Sequence, residues 1–199
     1  MNTNNQNTPI VLLGGGGHCK SCIDVIEQTG QYEILGILDP QLKIGDRVLR
    51  YEIIGTDDDV PDILKSVRHF LITVGQIKSA EKRVTLYRMI KSLKGEFPVI
   101  ISPSAYVSSH SHIGEGTIIM HHAVINAGST IGANCIINTK SLIEHDALVG
   151  DHCHISTGAI INGGCKVGSY SFVGSGAVAV QETTIPERSF IKANTLFVK

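Results

Sequence analysis

The sequence predicts two parts of different architecture, an α/β domain with a parallel sheet followed by a parallel β-helix. Three observations carry this. Short apolar runs alternate with amphipathic segments over residues 9–98. From Ala105 onward an aliphatic residue recurs every sixth position. Glycine is abundant (21 of 199 residues) while Trp is absent and aromatics make up only 5%, which favours tight turns over an aromatic-packed core.

The first eight residues, MNTNNQNT, carry neither a basic nor an apolar region and are expected to be a disordered tail, not a secretory signal. PIVLL (9–13) is a strand and GGGG (14–17) the turn after it. HCKSCIDVIEQTG places Cys22, Ile23, Val25 and Ile26 near one helical face, with Gly30 as the stop. YEILGILD (32–39) is a second strand, VPDILKSV (60–67) a helix and HFLITVG (69–75) a third strand. SAEKRVTLYRMIKSLKG (79–95) is an amphipathic helix, and FPVIIS (97–102) a further strand. This strand–helix rhythm implies a small Rossmann-like domain over residues 9–98.

Residues 105–199 divide into hexads: AYVSSH, SHIGEG, TIIMHH, AVINAG and so on to TLF. The third position is Val or Ile except at Ala179 and Phe197, and the first is always Ala, Ser, Thr or Cys. A period of six fits neither a helix nor a plain strand. It fits a short strand plus a turn, three of which make a triangular coil, with coils stacked at about 4.8 Å. The aliphatic residue points inward and the small one lies beside it. Cys135, Cys153 and Cys165 fall on the small position and read as core residues, not ligands.

Net charge is −1, so no general attraction to nucleic acid or anionic membrane is expected. No apolar run approaches the ~20 residues of a membrane span. Five cysteines without an export signal fit a reducing cytoplasm. CKSC at the start of the first helix has redox spacing, but the glycine run already explains the turn, and Cys22 is expected to pack on the sheet. His110, His112, His121, His122 and His152 read as solvated turn residues and His69 as structural.

GGGGH between strand and helix suits a phosphate, because glycines expose backbone N–H groups at a helix N-terminus. Asp39, about twenty residues on, stands where a ribose or base is bound in such domains. NAD is the obvious rival, disfavoured by the shortness of the domain. In SLIEHD, Ile143 points in, so Glu144, His145 and Asp146 lie on the rim of the prism. From spacing alone this is equally a solvated charged turn or a catalytic group. A neutral imidazole is the natural general base near pH 7, and a neighbouring carboxylate can orient it.

VLLGGGGHCK at the head of an α/β domain, followed by hexads containing SLIEHDALVGDHCHISTGA, resembles the hexapeptide-repeat nucleotide-sugar acetyltransferases. Within them it is most similar to the sialic acid O-acetyltransferase (NeuD) family, which includes UDP-4-amino-sugar and GDP-perosamine N-acetyltransferases. The resemblance covers nearly the whole chain after the tail. It implies a left-handed β-helix, although ordinary parallel crossovers are right-handed. It implies His145 as catalytic base with Asp146 orienting it; relatives usually have Glu there, one methylene longer, and Glu144 is the alternative. It implies a nucleotide-linked amino sugar held by Gly15, Gly16, Gly17 and His18, with Asp39, Pro40, Gly75 and Gln76 lining the same pocket. Acetyl-CoA, as co-substrate and without a metal, would meet His154, Gly163, Gly174 and Ser175. His154 lies half a coil from His145, so the resemblance further implies a homotrimer with its site between neighbouring β-helices. Relatives often continue beyond the last coil, whereas this sequence ends at TLFVK, so contacts from such a segment are expected to be absent or made differently.

The implied reaction is direct attack of a sugar 4-amine on the acetyl thioester, with no acyl-enzyme, since an amine is nucleophilic enough. UDP, GDP and dTDP are all compatible with Asp39–Pro40. The alternatives are O-acetylation of a sialic-acid-type sugar and a non-catalytic β-helix binding protein.

Overall fold

The computed structural model describes residues 7–198. Two compact units are present. One comprises residues up to Gly75 together with Leu86–Pro98; the other comprises Gln76–Thr85 and Val99 onward. The expected tail falls mostly outside the described residues, and Thr8 already belongs to the first strand.

In the first unit, β1 (Thr8–Leu13), α1 (Gly17–Thr29) and β2 (Tyr32–Leu38) follow the expected order. Two short strands that the sequence reading lacked come next, β3 (Arg47–Val48) and β4 (Tyr51–Gly55). They form an antiparallel pair, and β4 also pairs in parallel with β2. The helix expected over 60–67 is only one turn, α2 (Val60–Ile63), entered through a 3-10 turn at Asp57–Asp59 whose Thr56–Asp59 capping box starts it. Then come β5 (His69–Ile72) and, from Leu86 on, the rest of α3 (Glu81–Ser92), whose first residues up to Thr85 belong to the second unit. Sheet order is β3-β4-β2-β1-β5. Strand β1, flanked by β2 and β5, is almost wholly apolar, as a strand covered on both faces must be. Cys22, Ile23, Val25 and Ile26 of α1 are fully buried.

The second unit is a left-handed parallel β-helix of two-residue strands, in three sheets of six, five and six strands. Its first strand is Ile100–Ile101, in register with Ile118–Ile119. FPVIIS therefore supplies the opening strand of the prism rather than a further strand of the α/β sheet. The expected inward positions hold: Ile119, Ile125, Ile131, Ile137, Ile143, Val149, Ile155 and Ile161 form one continuous core with the small residues between them.

From the second hexad on, each complete hexad ends in a left-handed corner. Gly116, Gly128 and Gly158 take positive φ there, and so do Asn134, Asp146 and His152. Asn and Asp tolerate this region better than most side chains. It is this corner that sets the direction of Asp146.

Candidate active site

The rim after the strand Leu142–Ile143 carries the chemistry. His145 is exposed, and its Nδ1 lies 2.9 Å from Asp146 Oδ2. With φ at +59°, Asp146 turns its carboxylate back toward the preceding ring. Aspartate thus reaches the imidazole despite being a methylene shorter than glutamate. The hydrogen bond to Asp146 raises the His145 pKa above the usual histidine value, against an opposing effect of desolvation and with the charges of Asp146 and Glu144 adding to it. Glu144 is engaged elsewhere. Its Oε2 accepts from Asn126 Nδ2 at 2.8 Å and from the His145 backbone N–H at 3.3 Å.

One coil further on, Gly163 lies beneath the ring. A Cβ there would stand 2.7 Å from His145 Nε2 and 2.8 Å from Cε1, so only glycine leaves the imidazole in place. The coils are tied at this corner, Gly164 N–H donating to the His145 carbonyl at 3.0 Å. His145, Asp146 and Gly163 are therefore brought together within one chain.

His154, Gly174 and Ser175 lie on a different face, on and after the strands His154–Ile155 and Phe172–Val173. Ser175 is exposed and its Oγ is 2.9 Å from Ser156 Oγ. Gly174 N–H is used by the ladder, donating to the Ile191 carbonyl. A Cβ at Gly174 would strike the Ala193 nitrogen at 2.5 Å, so coil stacking alone requires glycine there. His154 is buried, 7% exposed. Its Nδ1 is 2.5 Å from the Gln76 carbonyl and its Nε2 3.1 Å from Asn138 Nδ2. Burial pushes its pKa down to about 4, opposed by the hydrogen bond to the Gln76 carbonyl and helped by the Arg83 charge.

Two expectations are corrected here. His152 is not solvated. It is 7% exposed, its ring stacked on Tyr170 and its Nδ1 3.0 Å from Asn134 Nδ2. Gln76 was expected to line the sugar-nucleotide pocket. Its side chain is instead 2% exposed in the β-helical unit, donating to the His152 carbonyl at 2.9 Å. Arg83, Asn134 and Asn126 went unnoticed in the sequence because only the fold brings their partners near; Arg83 Nη2 lies 2.6 Å from Asn134 Oδ1.

In the first unit, the glycine turn opens α1 with Gly16 as the N-cap. Nothing would meet a Cβ at Gly16 or Gly17, so this part of the turn is open. Gly15 is glycine for packing, since a Cβ would lie 2.6 Å from Leu42. Asp39 holds the turn: Oδ2 accepts from Gly15 N–H at 2.7 Å and Oδ1 from Gln41 N–H at 2.8 Å. Pro40 is exposed beside it. His18 sits in the first turn of α1, its Nε2 3.4 Å from Cys22 Sγ, and Gly75 lies against its Cβ. Cys19 is fully buried, and that burial raises its pKa to about 11, so it is not a ready thiolate. Among the described residues, no group of three His, Cys, Asp or Glu is placed to hold a metal ion, and no helix is long and apolar enough to cross a membrane.

Residues 9–88 match the PglD N-terminal domain, and residues 110–145 match the bacterial transferase hexapeptide, six repeats. The first match spans the α/β part of the chain and the second part of the β-helix, so each unit is similar to a domain of a known kind. Particular relatives sharpen this. The chain is 32% identical over 117 residues to UDP-N-acetylbacillosamine N-acetyltransferase of Bacillus subtilis (strain 168). That match spans 56% of this chain and 50% of the relative, about half its length. The acetyltransferase domain of PglB from Neisseria gonorrhoeae FA1090, solved with acetyl coenzyme A, superposes with TM-score 0.90 at 29% identity, covering 97% of this chain and 92% of that one. A histidine-to-asparagine variant of perosamine N-acetyltransferase from Caulobacter crescentus, solved with CoA and GDP-perosamine, gives TM-score 0.89 at 29% identity, covering 96% and 89%.

Proposed function

We propose that this chain transfers the acetyl group of acetyl-CoA to the 4-amino group of a nucleotide-linked 4-amino-4,6-dideoxy sugar, the nucleotide being UDP. The observation that carries the reading is the His145–Asp146 pair on the prism rim, with Gly163 beneath the ring. The amine nitrogen attacks the thioester carbon. Its proton passes to His145 Nε2 while Asp146 holds Nδ1–H and stabilises the imidazolium. The C–S bond then breaks and the thiolate of CoA leaves, to be protonated. The Gly163 N–H is the candidate to steady the thioester oxygen, those of Asn162, Gly164 and Cys165 already donating to the Ala179, His145 and Asn162 carbonyls. No cysteine serves as nucleophile; Cys135, Cys153 and Cys165 are all fully buried in the core. UDP is chosen because the curated relative acts on a UDP-sugar by name.

The nucleotide-sugar is assigned to the turn Gly15–His18 with Asp39, Pro40 and Gly75. Here Asp39 shapes the turn, and Gly16 and Gly17 offer the open backbone. Acetyl-CoA is assigned to Gly163 and, from a neighbouring subunit, to His154, Gly174 and Ser175. The working unit is then a homotrimer. An apolar stripe supports it: Tyr106, Val124, Leu142, Ile160, Val178 and Leu196 stack one coil apart on one outer face, Tyr106 and Leu196 being 59% and 65% exposed. Such a continuous apolar face marks an interaction surface.

A thiol-release assay with acetyl-CoA and a panel of UDP-, GDP- and dTDP-linked 4-amino sugars tests the reading. The UDP-linked amine should give the highest kcat/KM. Release of thiol with a sialic-acid-type hydroxyl acceptor and none with any amine would overturn it.

A further inference from the structure

Gln76 is the first residue of the segment Gln76–Thr85, which belongs to the β-helical unit. Its Nε2 donates to the His152 carbonyl at 2.9 Å and lies 3.5 Å from the Ser171 carbonyl. Both partners only accept, so the amide must face them with its NH2 group. Held in this way, Gln76 presents its own backbone carbonyl to His154 Nδ1 at 2.5 Å. A carbonyl only accepts, so Nδ1 must carry the hydrogen. On the far side of the ring Asn138 Nδ2 is 3.1 Å from Nε2. The sense of the Asn138 amide is also fixed, because its Oδ1 accepts from Thr139 N–H at 2.8 Å. Its NH2 group therefore donates to Nε2, which must be bare. Phe172 closes over the ring edge-on at 5.2 Å. Geometry alone thus dictates one neutral tautomer.

We infer that Gln76 is a positioning residue: it clamps His154 as the neutral Nδ1–H tautomer and fixes the plane of its ring on the face assigned to acetyl-CoA. The functional half of this inference rests on that assignment. Two imidazoles of the proposed site then have opposite characters. His145 is exposed and changes charge in turnover, whereas His154 is a fixed, uncharged contact. Acetyl-CoA binding is thereby insulated from pH over the range in which the base titrates. Burial depresses the His154 pKa in agreement with this, and the Arg83 charge adds to it, whereas the hydrogen bond to the Gln76 carbonyl acts in the opposite sense; it is the Asn138 donor on Nε2 that excludes the second proton, and Gln76, Asn138 and Phe172 are uncharged.

Long-range nitrogen–proton correlation NMR on the 15N-labelled full chain reads the tautomer directly. In the wild type His154 should show a protonated Nδ1 and a bare Nε2, unchanged from about pH 5 to about pH 8. A protonated Nε2, or titration near the usual value, would overturn the clamp. Gln76→Met keeps the length and apolar stem of the side chain but deletes its donors. It also deletes Oε1, which has no hydrogen-bond partner among the described residues, so little folding stability should be lost. In this variant His154 should begin to titrate between about pH 5 and about pH 7. KM for acetyl-CoA should rise about 10-fold and become pH-dependent, with kcat and the amino-sugar KM within about 2-fold of wild type. An unchanged Nδ1–H signal in Gln76→Met refutes the clamp. A changed tautomer with an unchanged acetyl-CoA KM supports the clamp and refutes the placing of acetyl-CoA on this face.

Discussion

Gly163→Ala should damage catalysis while sparing the fold. The added methyl would stand 2.7 Å from His145 Nε2 and 2.8 Å from Cε1, where ordinary contact begins near 3.4 Å. One of the two groups must therefore give by about 0.7 Å. The Gly163 backbone is fixed by the ladder, its carbonyl accepting from Glu182 N–H at 2.9 Å and Gly164 N–H donating to the His145 carbonyl. The exposed imidazole is what moves, and its 2.9 Å contact with Asp146 is disturbed with it. A displacement of about 1 Å costs on the order of 100-fold in rate, so kcat should fall about 10- to 100-fold. The backbone N–H at 163 survives in alanine, so the loss would report the base and not an oxyanion donor. Steady-state thiol release, with thermal melting followed by circular dichroism, is the assay. Melting within about 3 °C of wild type is expected, because no φ in the left-handed region is involved. A kcat within about 2-fold of wild type would refute the reasoning, since it would mean the ring position seen here is irrelevant to turnover.

Three further outcomes are expected. Asp146→Asn keeps a residue suited to the left-handed corner, so it should fold, but it removes the charge that raises the His145 pKa. The neutral base accumulates as pH rises through that pKa, so the midpoint of the kcat/KM profile should shift to lower pH while the plateau falls about 10-fold or more; an unmoved midpoint would count against the pair. His154 protonates near 6.5 when unfolded and near about 4 when folded, so its contribution to stability is present above pH 6.5 and is lost as pH falls toward 4. Urea unfolding at about pH 5 should show this as about 2 kcal/mol lost relative to pH 7.5 that His154→Gln does not lose. Ile160→Glu, in the apolar stripe, should give monomers by sedimentation and abolish turnover together; a trimeric, active variant would remove that face from the interface.

The prism was legible because its chemistry repeats. Ile143 and Val149 occupy the interior in a register visible from the six-residue period of the sequence, and that register put Glu-His-Asp on the rim. Which carboxylate meets the ring was not legible. The answer depends on the left-handed corner at Asp146 and on Asn126, one coil earlier, holding Glu144. The strand pair β3–β4 was missed because its residues are mixed polar and apolar with no clear alternation, and they are stabilised by pairing with β2. His152 and Gln76 were misread for one reason: residue 76 meets residues 152 and 154 only through the fold, and nothing local in either segment announces it. A turn histidine is polar in sequence whether water or a buried amide satisfies it.

The most direct test compares wild type with His145→Ala in thiol release from acetyl-CoA, using a UDP-linked 4-amino-4,6-dideoxy sugar as acceptor. The account predicts acceptor-dependent release in the wild type and a loss of about 100-fold or more in kcat for the variant, with trimer and melting temperature retained. A variant that keeps wild-type kcat, or a wild type that releases thiol no faster with the amino sugar than without it, would contradict it.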